Sequence, residues 1–328
     1  MGIPIKITET LKNRYKIIRI IGQGGMSNVY LAEDSRLKGR VCALKEVEYD
    51  KSISANLLEE ARSQFSREAS VLARLDHPNL PKVSDFFSKG SRDYLVMDYV
   101  PGKDLRTLML QAKNKGVFLK TNDVLNWAKQ LANALIYLHN QDPPILHRDI
   151  KPSNLKITPN GSLKLVDFGL VKILVPGDVT ITVIQGQGTI PYTPIEQYGG
   201  DNAHTDVRSD IYSFGATLYH LLTNTPPANA RERFLNPQDL IAPSKINPKI
   251  PKRIEQAILL AMSLHPDERP TSVEEFIQAL LGKQKIEQGY QMQKAGYQNL
   301  LNNSPEKSLF WIAIALSIIS LISASLKK

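Results

Sequence analysis

His147-Arg148-Asp149-Ile150-Lys151-Pro152-Ser153-Asn154, followed beyond a strand-like hairpin by Asp167-Phe168-Gly169, is the most informative stretch of this chain. Two acids, an amide and a lysine crowd one segment, too densely for an ordinary solvated loop. Magnesium takes hard oxygen ligands and keeps substrate phosphates in its coordination shell. Asn154 and Asp167 offer such oxygens, Asp149 can accept a hydroxyl proton, and Lys151 can meet a phosphoryl group in transfer.

Upstream, Ile21-Gly22-Gln23-Gly24-Gly25-Met26-Ser27-Asn28-Val29 lies between two strand-like runs. Glycines have no Cβ, so backbone N–H groups there can approach phosphate oxygens closely. A strand and not a helix follows, so this is no dinucleotide-binding fingerprint, and alone it reads as readily as a hairpin turn. Cys42-Ala43-Leu44-Lys45 then puts a lysine at the end of an apolar run, a costly position unless it meets an anion. Glu68 shares a helical face with Phe65, Ala69 and Leu72, where a carboxylate also wants a partner. Lys45 and Glu68 can satisfy each other; taken alone, they could be a purely structural ion pair.

The surrounding periodicity gives a coarse architecture. Strand-like runs cover Tyr15–Ile21, Val29–Ala32, Val41–Val47 and Tyr94–Val100. The helical segment carrying Glu68 ends near Leu75, closed by His77-Pro78. Val124, Ala128, Leu131, Leu135 and Leu138 recur at the spacing of a core-facing helix, which Pro143-Pro144 stops. Ile211, Phe214, Leu218 and Leu221 repeat that spacing up to Pro226-Pro227. The expected fold class is α+β, a small strand-rich lobe before a larger helical one, with the ligand site at their junction.

In this order and spacing the motifs resemble the eukaryotic-type serine/threonine protein kinases of the bacterial membrane-anchored kind, over about residues 15–281. The resemblance implies a bilobal protein-kinase-like fold with ATP as substrate and Mg2+ as cofactor, Mn2+ being an alternative. It also implies transfer of the γ-phosphoryl group to Ser or Thr hydroxyls of protein substrates. By the same resemblance Ile21, Gly22, Gln23, Gly24, Gly25, Met26, Ser27, Asn28 and Val29 cover the nucleotide and Ala43 lines its pocket. Lys45 holds the α- and β-phosphates and Glu68 orients it. Asp149 is the base, Lys151 marks the serine/threonine class, and Asn154 and Asp167 hold the metal. Met97 falls at the gatekeeper position, and Asp98 and Val100 form the hinge whose backbone meets adenine. Glu196 should pair with Arg269, and Asp210 should support the catalytic-loop backbone. Arg148 should receive a phosphorylated activation segment, with Thr180 and Thr182 as autophosphorylation sites, while Thr189 orders that segment against the catalytic loop.

The chain departs from the family pattern in three places. Ser27 stands at the third glycine of the nucleotide loop, and Pro194-Ile195-Glu196 replaces Ala-Pro-Glu. Lys156 stands where an apolar floor should lie under adenine, so its stem is expected to cover the ring while its head reaches water. Two other readings remain, a membrane-tethered pseudokinase acting as a binding module and a small-molecule kinase. The intact set Lys45, Asp149, Asn154 and Asp167 argues against the first, the full activation segment against the second.

Composition bounds the rest. The 328 residues allow about two domains. Hydrophobic residues at 42% and charged residues at 22% exclude a wholly disordered chain. Cys42 alone supports neither an internal disulfide nor a cysteine zinc site and points to a reducing compartment. Of the net charge of +9, much lies from Lys283 onward, where six lysines face only Glu287 and Glu306. No nucleic-acid motif accompanies this charge, so nucleic acid is not an expected partner. Met1–Lys6 has no apolar run of the secretory kind. Leu309–Leu326 runs 18 residues without a charge. As a helix it would measure roughly 27 Å against a hydrocarbon core of about 30 Å. Trp311 lies near one edge, and Lys307, Lys327 and Lys328 flank the run. The expected organisation is a kinase domain at 15–281, a juxtamembrane linker at 282–308 and a transmembrane helix at 309–326. Such a protein would sit in the cell membrane as a single-pass chain with its kinase domain cytoplasmic, and lateral association through the span would give a homodimer.

Overall fold

Period-two alternation builds the first lobe of the computed structural model, which describes residues 5–23, 27–49, 54–167, 172–173, 189–198 and 205–282. Its elements are Thr10–Leu11 (β1), Tyr15–Gln23 (β2), Ser27–Asp34 (β3), Val41–Glu48 (β4), the helix Ala55–Leu72 (α1), Val83–Lys89 (β5) and Arg92–Asp98 (β6). The strands form one antiparallel sheet in the order β1-β2-β3-β4-β6-β5. Across β3, β4 and β6, Val29 pairs with Lys45 and Lys45 with Leu95; Leu31 pairs with Ala43 and Ala43 with Met97. Directly paired residues share a face and their neighbours take the other. Val29, Ala43, Lys45 and Met97 therefore point one way. Tyr30, Leu44 and Val96 point the opposite way, into a core shared with Ile5, Leu11, Tyr15 and Ile17. Glu46 is also buried on that outer side, where it accepts from Tyr30 Oη at 2.8 Å, Arg92 Nη1 at 2.8 Å and Asn28 Nδ2 at 3.0 Å.

The second lobe follows through Lys103–Asp104 (β7), Leu105–Asn114 (α2), Thr121–His139 (α3), Ile145–Leu146 (β8), Leu155–Ile157 (β9), Leu163–Leu165 (β10) and Lys172–Ile173 (β11). Then come Val207–Thr223 (α4), Ala230–Leu235 (α5), Pro243–Ile246 (α6), Lys252–Ala261 (α7) and Val273–Leu281 (α8). The strands pair as β10-β9-β7 and as β11-β8. Helix α4 runs through the middle of the lobe, its side chains buried from Ser209 to Tyr219 and again from Leu221 to Thr223. Gly215 allows that burial, because a Cβ there would stand 2.9 Å from the Cβ of Ala261 on α7.

The strand-rich lobe before a helical lobe is the architecture expected from the sequence. The run expected at Tyr94–Val100 leaves its ladder after Asp98, three residues before Pro101, which has no N–H to offer. The linker beyond Gly282, the span expected at 309–326, Gly24, Gly25, Met26, Phe168-Gly169, Thr180 and Thr182 lie outside the described residues. Among the described residues no helix is long and apolar enough to cross a membrane.

One buried histidine gives the fold an acid-sensitive contact. His220, in the last turn of α4, meets Tyr192 Oη through Nδ1 at 2.6 Å, and burial pushes its imidazole down to about 4. An unfolded imidazole titrates near 6.5. The native value is the depressed one, so this contribution is whole above pH about 6.5 and is lost as the pH falls toward about 4. His220→Asn should flatten that part of the melting temperature against pH; a variant curve parallel to wild type there would refute the assignment.

Candidate active site

The cleft-facing side of the sheet supplies the first group. Lys45 on β4 is buried, and its ammonium contacts the Asp167 carboxylate. That cation beside it holds the Asp167 carboxyl below the usual carboxylate range. Glu68 is buried on α1 among Phe65, Ala69 and Leu72, and its Oε1 accepts from Gln64 Nε2 at 3.0 Å. Met97 and Val100 are buried and Asp98 is exposed, in the segment leading from one lobe to the other.

The loop between β8 and β9 carries the rest. Arg148 and Asp167 both adopt a left-handed backbone, at φ 61° each, a strain that non-glycine residues accept where their surroundings fix them. Asp210, fully buried in the first turn of α4, provides that fixing at Arg148. It accepts from His147 N at 2.9 Å, Arg148 N at 2.8 Å and His139 Nε2 at 2.9 Å. Burial alone would raise its carboxyl, but the His139 hydrogen bond and the nearby imidazoles outweigh it and leave the carboxyl below its ordinary value. Arg148 is largely enclosed, and its guanidinium contacts Thr205 Oγ1.

Around Asp149 the partners are asymmetric. Its Oδ2 takes Asn154 Nδ2 at 2.9 Å and faces Lys151 Nζ at 2.8 Å. Its Oδ1 is buried and has no hydrogen-bond partner among the described residues. Asn154 is anchored in turn, its Nδ2 also donating to Asp149 O at 2.9 Å. Lys151 reaches Thr189 Oγ1 at 2.8 Å, and Thr189 is buried. Glu196 takes Arg269 Nη1 at 2.6 Å and Nη2 at 2.9 Å.

The donor set suits a divalent metal. With its amide nitrogen committed to Asp149, Asn154 has its carbonyl oxygen turned the other way, and Asp167 adds an ionised carboxylate. Among the described residues no group of three or more His, Cys, Asp or Glu could hold an ion unaided. A hard cation that draws its remaining ligands from phosphate and water needs no such group.

The protein kinase domain profile matches residues 15–288. The chain belongs to the protein kinase domain family. It is 33% identical over 282 residues to the probable serine/threonine-protein kinase PknB of Lactococcus lactis, covering 83% of this chain and 42% of that protein. To the serine/threonine-protein kinase PrkC of Bacillus subtilis it is 35% identical over 275 residues, covering 82% of this chain and 40% of that one. The crystal structure of the PknI kinase domain of Mycobacterium tuberculosis superposes with a TM-score of 0.65 at 27% identity, covering 85% of this chain and 99% of that domain. The chain thus spans about two fifths of the length of these curated relatives and nearly all of the solved kinase domain.

Within this kinase domain, Lys45 and Asp167 meet directly, and Asp149, Lys151 and Asn154 form one cluster. Val29, Ala43 and Met97 lie on the same face of the sheet as Lys45. Lys156 differs from expectation. Its head does not simply reach water but donates to Val100 O at 2.6 Å and lies 5.5 Å from the Tyr99 ring centroid. A half-buried ammonium needs an acceptor, and the hinge carbonyl lies within reach of the strand. Burial lowers its pKa while Asp104, its partner across β7 and β9, opposes that shift.

Two positioning residues escaped the sequence reading. His139 holds Asp210 across 71 positions, and nothing local announces it. Gly102 had a signal, the Pro-Gly turn after a strand-like run. At φ 105° it presses so close to β9 that a Cβ would stand 2.0 Å from Ile157 O. Gly102→Ala should therefore push the hinge exit off β9. The expected result is a stability loss of roughly 1–3 kcal/mol and a raised KM for ATP; unchanged melting and KM would show that the approach is not required.

Proposed function

We propose that this chain is an ATP-dependent serine/threonine protein kinase, using Mg2+, with Mn2+ as the alternative ion, on protein substrates. The observation that carries this reading is the arrangement around Asp149, where one carboxylate oxygen is clamped by Asn154 and Lys151 and the other is left for a hydroxyl proton. Asp149 Oδ1 takes that proton as the substrate oxygen attacks the γ-phosphorus. Lys151, bridging Asp149 and Thr189, sits between base and activation segment and offsets charge on the transferring group. Lys45 meets the α- and β-phosphates, and the loop Ile21–Val29 closes over them. A divalent ion held by Asn154 Oδ1 and Asp167 would neutralise phosphate charge and keep the reacting atoms in line.

The chemistry asks the protein mainly for positioning and charge, which is what buried, hydrogen-bonded side chains provide. Purified full-length chain with γ-labelled ATP and a generic basic protein should show label on serine or threonine. Label confined to water or a small molecule would sink the reading, and no turnover with retained nucleotide binding would favour a pseudokinase.

Two further elements complete the proposal. One of Thr180 and Thr182 is autophosphorylated, and its phosphate docks on Arg148; mass spectrometry of active enzyme should find one of them modified, and two bare threonines would count against the switch. Residues 309–326 span the cell membrane after a linker at 282–308, with the kinase domain cytoplasmic, and pair laterally as a homodimer. The support is the uncharged run flanked by lysines. Release of the chain by alkaline carbonate would refute the anchor, and a monomer in crosslinking at native expression would refute the pairing.

A further inference from the structure

The hinge presents an uneven edge, and Lys156 makes it so. Val100 precedes Pro101, a position that holds its backbone extended. In extended backbone the N–H and C=O of one residue point to the same edge. At Val100 these two groups have different fates. The N–H hydrogen bonds to no described residue. The carbonyl is taken by Lys156 Nζ at 2.6 Å. The Tyr99 ring centroid lies 5.5 Å from the ammonium, and Asp104 is the neighbour of Lys156 across β7 and β9. Asp104 is itself fixed as the N-cap of α2, accepting from Thr107 N at 2.8 Å.

An edge with an open N–H and an occupied carbonyl selects among purines. Adenine offers N1 as an acceptor beside a C2–H that needs no partner, so it loses nothing to the occupied carbonyl. Guanine and hypoxanthine offer O6 as an acceptor next to an N1–H donor. That pair matches a free N–H and a free C=O on one residue. With one lone pair of that carbonyl taken by Lys156, the N1–H must share the oxygen with an adjacent ammonium of like-signed charge, which weakens its pairing and costs binding. We propose that Lys156 is a base-selecting residue, which competes with 6-oxopurine nucleotides for the Val100 carbonyl and so biases the site toward adenine. Specificity of this kind comes from weakening the competitor's pairing, not from an added contact to the preferred ligand. The inference rests on the kinase reading above, in which Val100 borders the base.

The test is a titration of ADP, GDP and IDP, each with Mg2+, into full-length wild-type chain in detergent and into Lys156→Met, read by calorimetry. Wild type should bind ADP much more tightly than GDP or IDP. In Lys156→Met the affinity of both 6-oxopurines relative to ADP should rise about fivefold, the worth of one net hydrogen bond. Lys156→Leu, its folding checked by thermal melt, serves as a second variant. A ratio that stays put in the folded variants overturns the proposal and leaves the kinase reading standing. Wild type that binds GDP as tightly as ADP overturns it without any variant. Absence of ADP binding to wild type overturns the kinase reading itself, and the proposal with it.

Discussion

Asp167→Asn should leave less than about one hundredth of the wild-type rate of phosphoryl transfer, the loss typical of removing one preorganised electrostatic group. The substitution keeps the shape of the side chain and removes its charge. In the folded protein that charge lies against the Lys45 ammonium, which holds the carboxyl ionised. An amide at the same place can neither balance Lys45 nor bind a hard cation as strongly. Asp149→Asn provides the comparison. It removes the proton acceptor but leaves Lys45 and Asp167 together, and general-base loss typically costs about 10²–10⁴-fold. The two variants should separate in nucleotide affinity: Asp167→Asn weakens Mg2+-dependent ATP binding, and Asp149→Asn leaves it close to wild type. The assay is γ-labelled ATP with a generic basic protein, with circular dichroism to verify folding. Wild-type turnover by Asp167→Asn would show that the metal and charge assignments are wrong.

The residues proposed to do the chemistry were legible because they cluster in sequence. Asp149, Lys151 and Asn154 lie within one turn-rich segment, and their chemical types are diagnostic without any fold. Lys45 and Glu68 could be suspected because each puts charge on an apolar face. What supports them was not legible, since it comes from distant chain. Asp210 meets His147 and Arg148 across more than sixty positions, and the meeting depends on how α4 enters the core. Lys156 was visible as an oddity, but its acceptor was not, because Val100 lies 56 positions away and only the β7–β9 pairing brings them together. The strand Val83–Lys89 was missed because it lies at the sheet edge. Its VSDFFSK pattern buries Val83 alone and alternates weakly, so no period-two signal rises above its polar residues. Helix α2 was missed for a like reason, since it buries only Leu105 and Met109.

Arg269→Ala should destabilise the fold by about 3–5 kcal/mol, the cost of stripping one partner from a buried ion pair. The guanidinium is buried and spends its donors on five bonds. It gives Nη1 to Glu196 Oε1 at 2.6 Å and to Arg208 O at 3.1 Å, Nη2 to Glu196 Oε2 at 2.9 Å and Leu264 O at 2.9 Å, and Nε to Ser263 O at 2.8 Å. It also lies 5.0 Å from the Tyr212 ring centroid. Alanine would leave the Glu196 carboxylate, whose side chain is only 11% exposed, against a cavity with Ser209 Oγ as a remaining donor at 2.8 Å. Three unrelated stretches would lose their common fastening: the end of the activation segment at Glu196, the start of α4 at Arg208, and the turn at Ser263-Leu264. For a domain of this size each kcal/mol is worth about 2–4 °C, so a fall of roughly 6–20 °C in melting temperature is expected. Arg269→Lys should recover only part of it, because an ammonium cannot span both carboxylate oxygens in a planar fork. Glu196→Gln should cost less than Arg269→Ala, since it keeps an acceptor for the guanidinium. Equal melting of Arg269→Ala and wild type would mean that this pair does not fasten the lobe. If Arg269→Lys recovered full stability, charge alone would be enough and the bidentate geometry would be incidental.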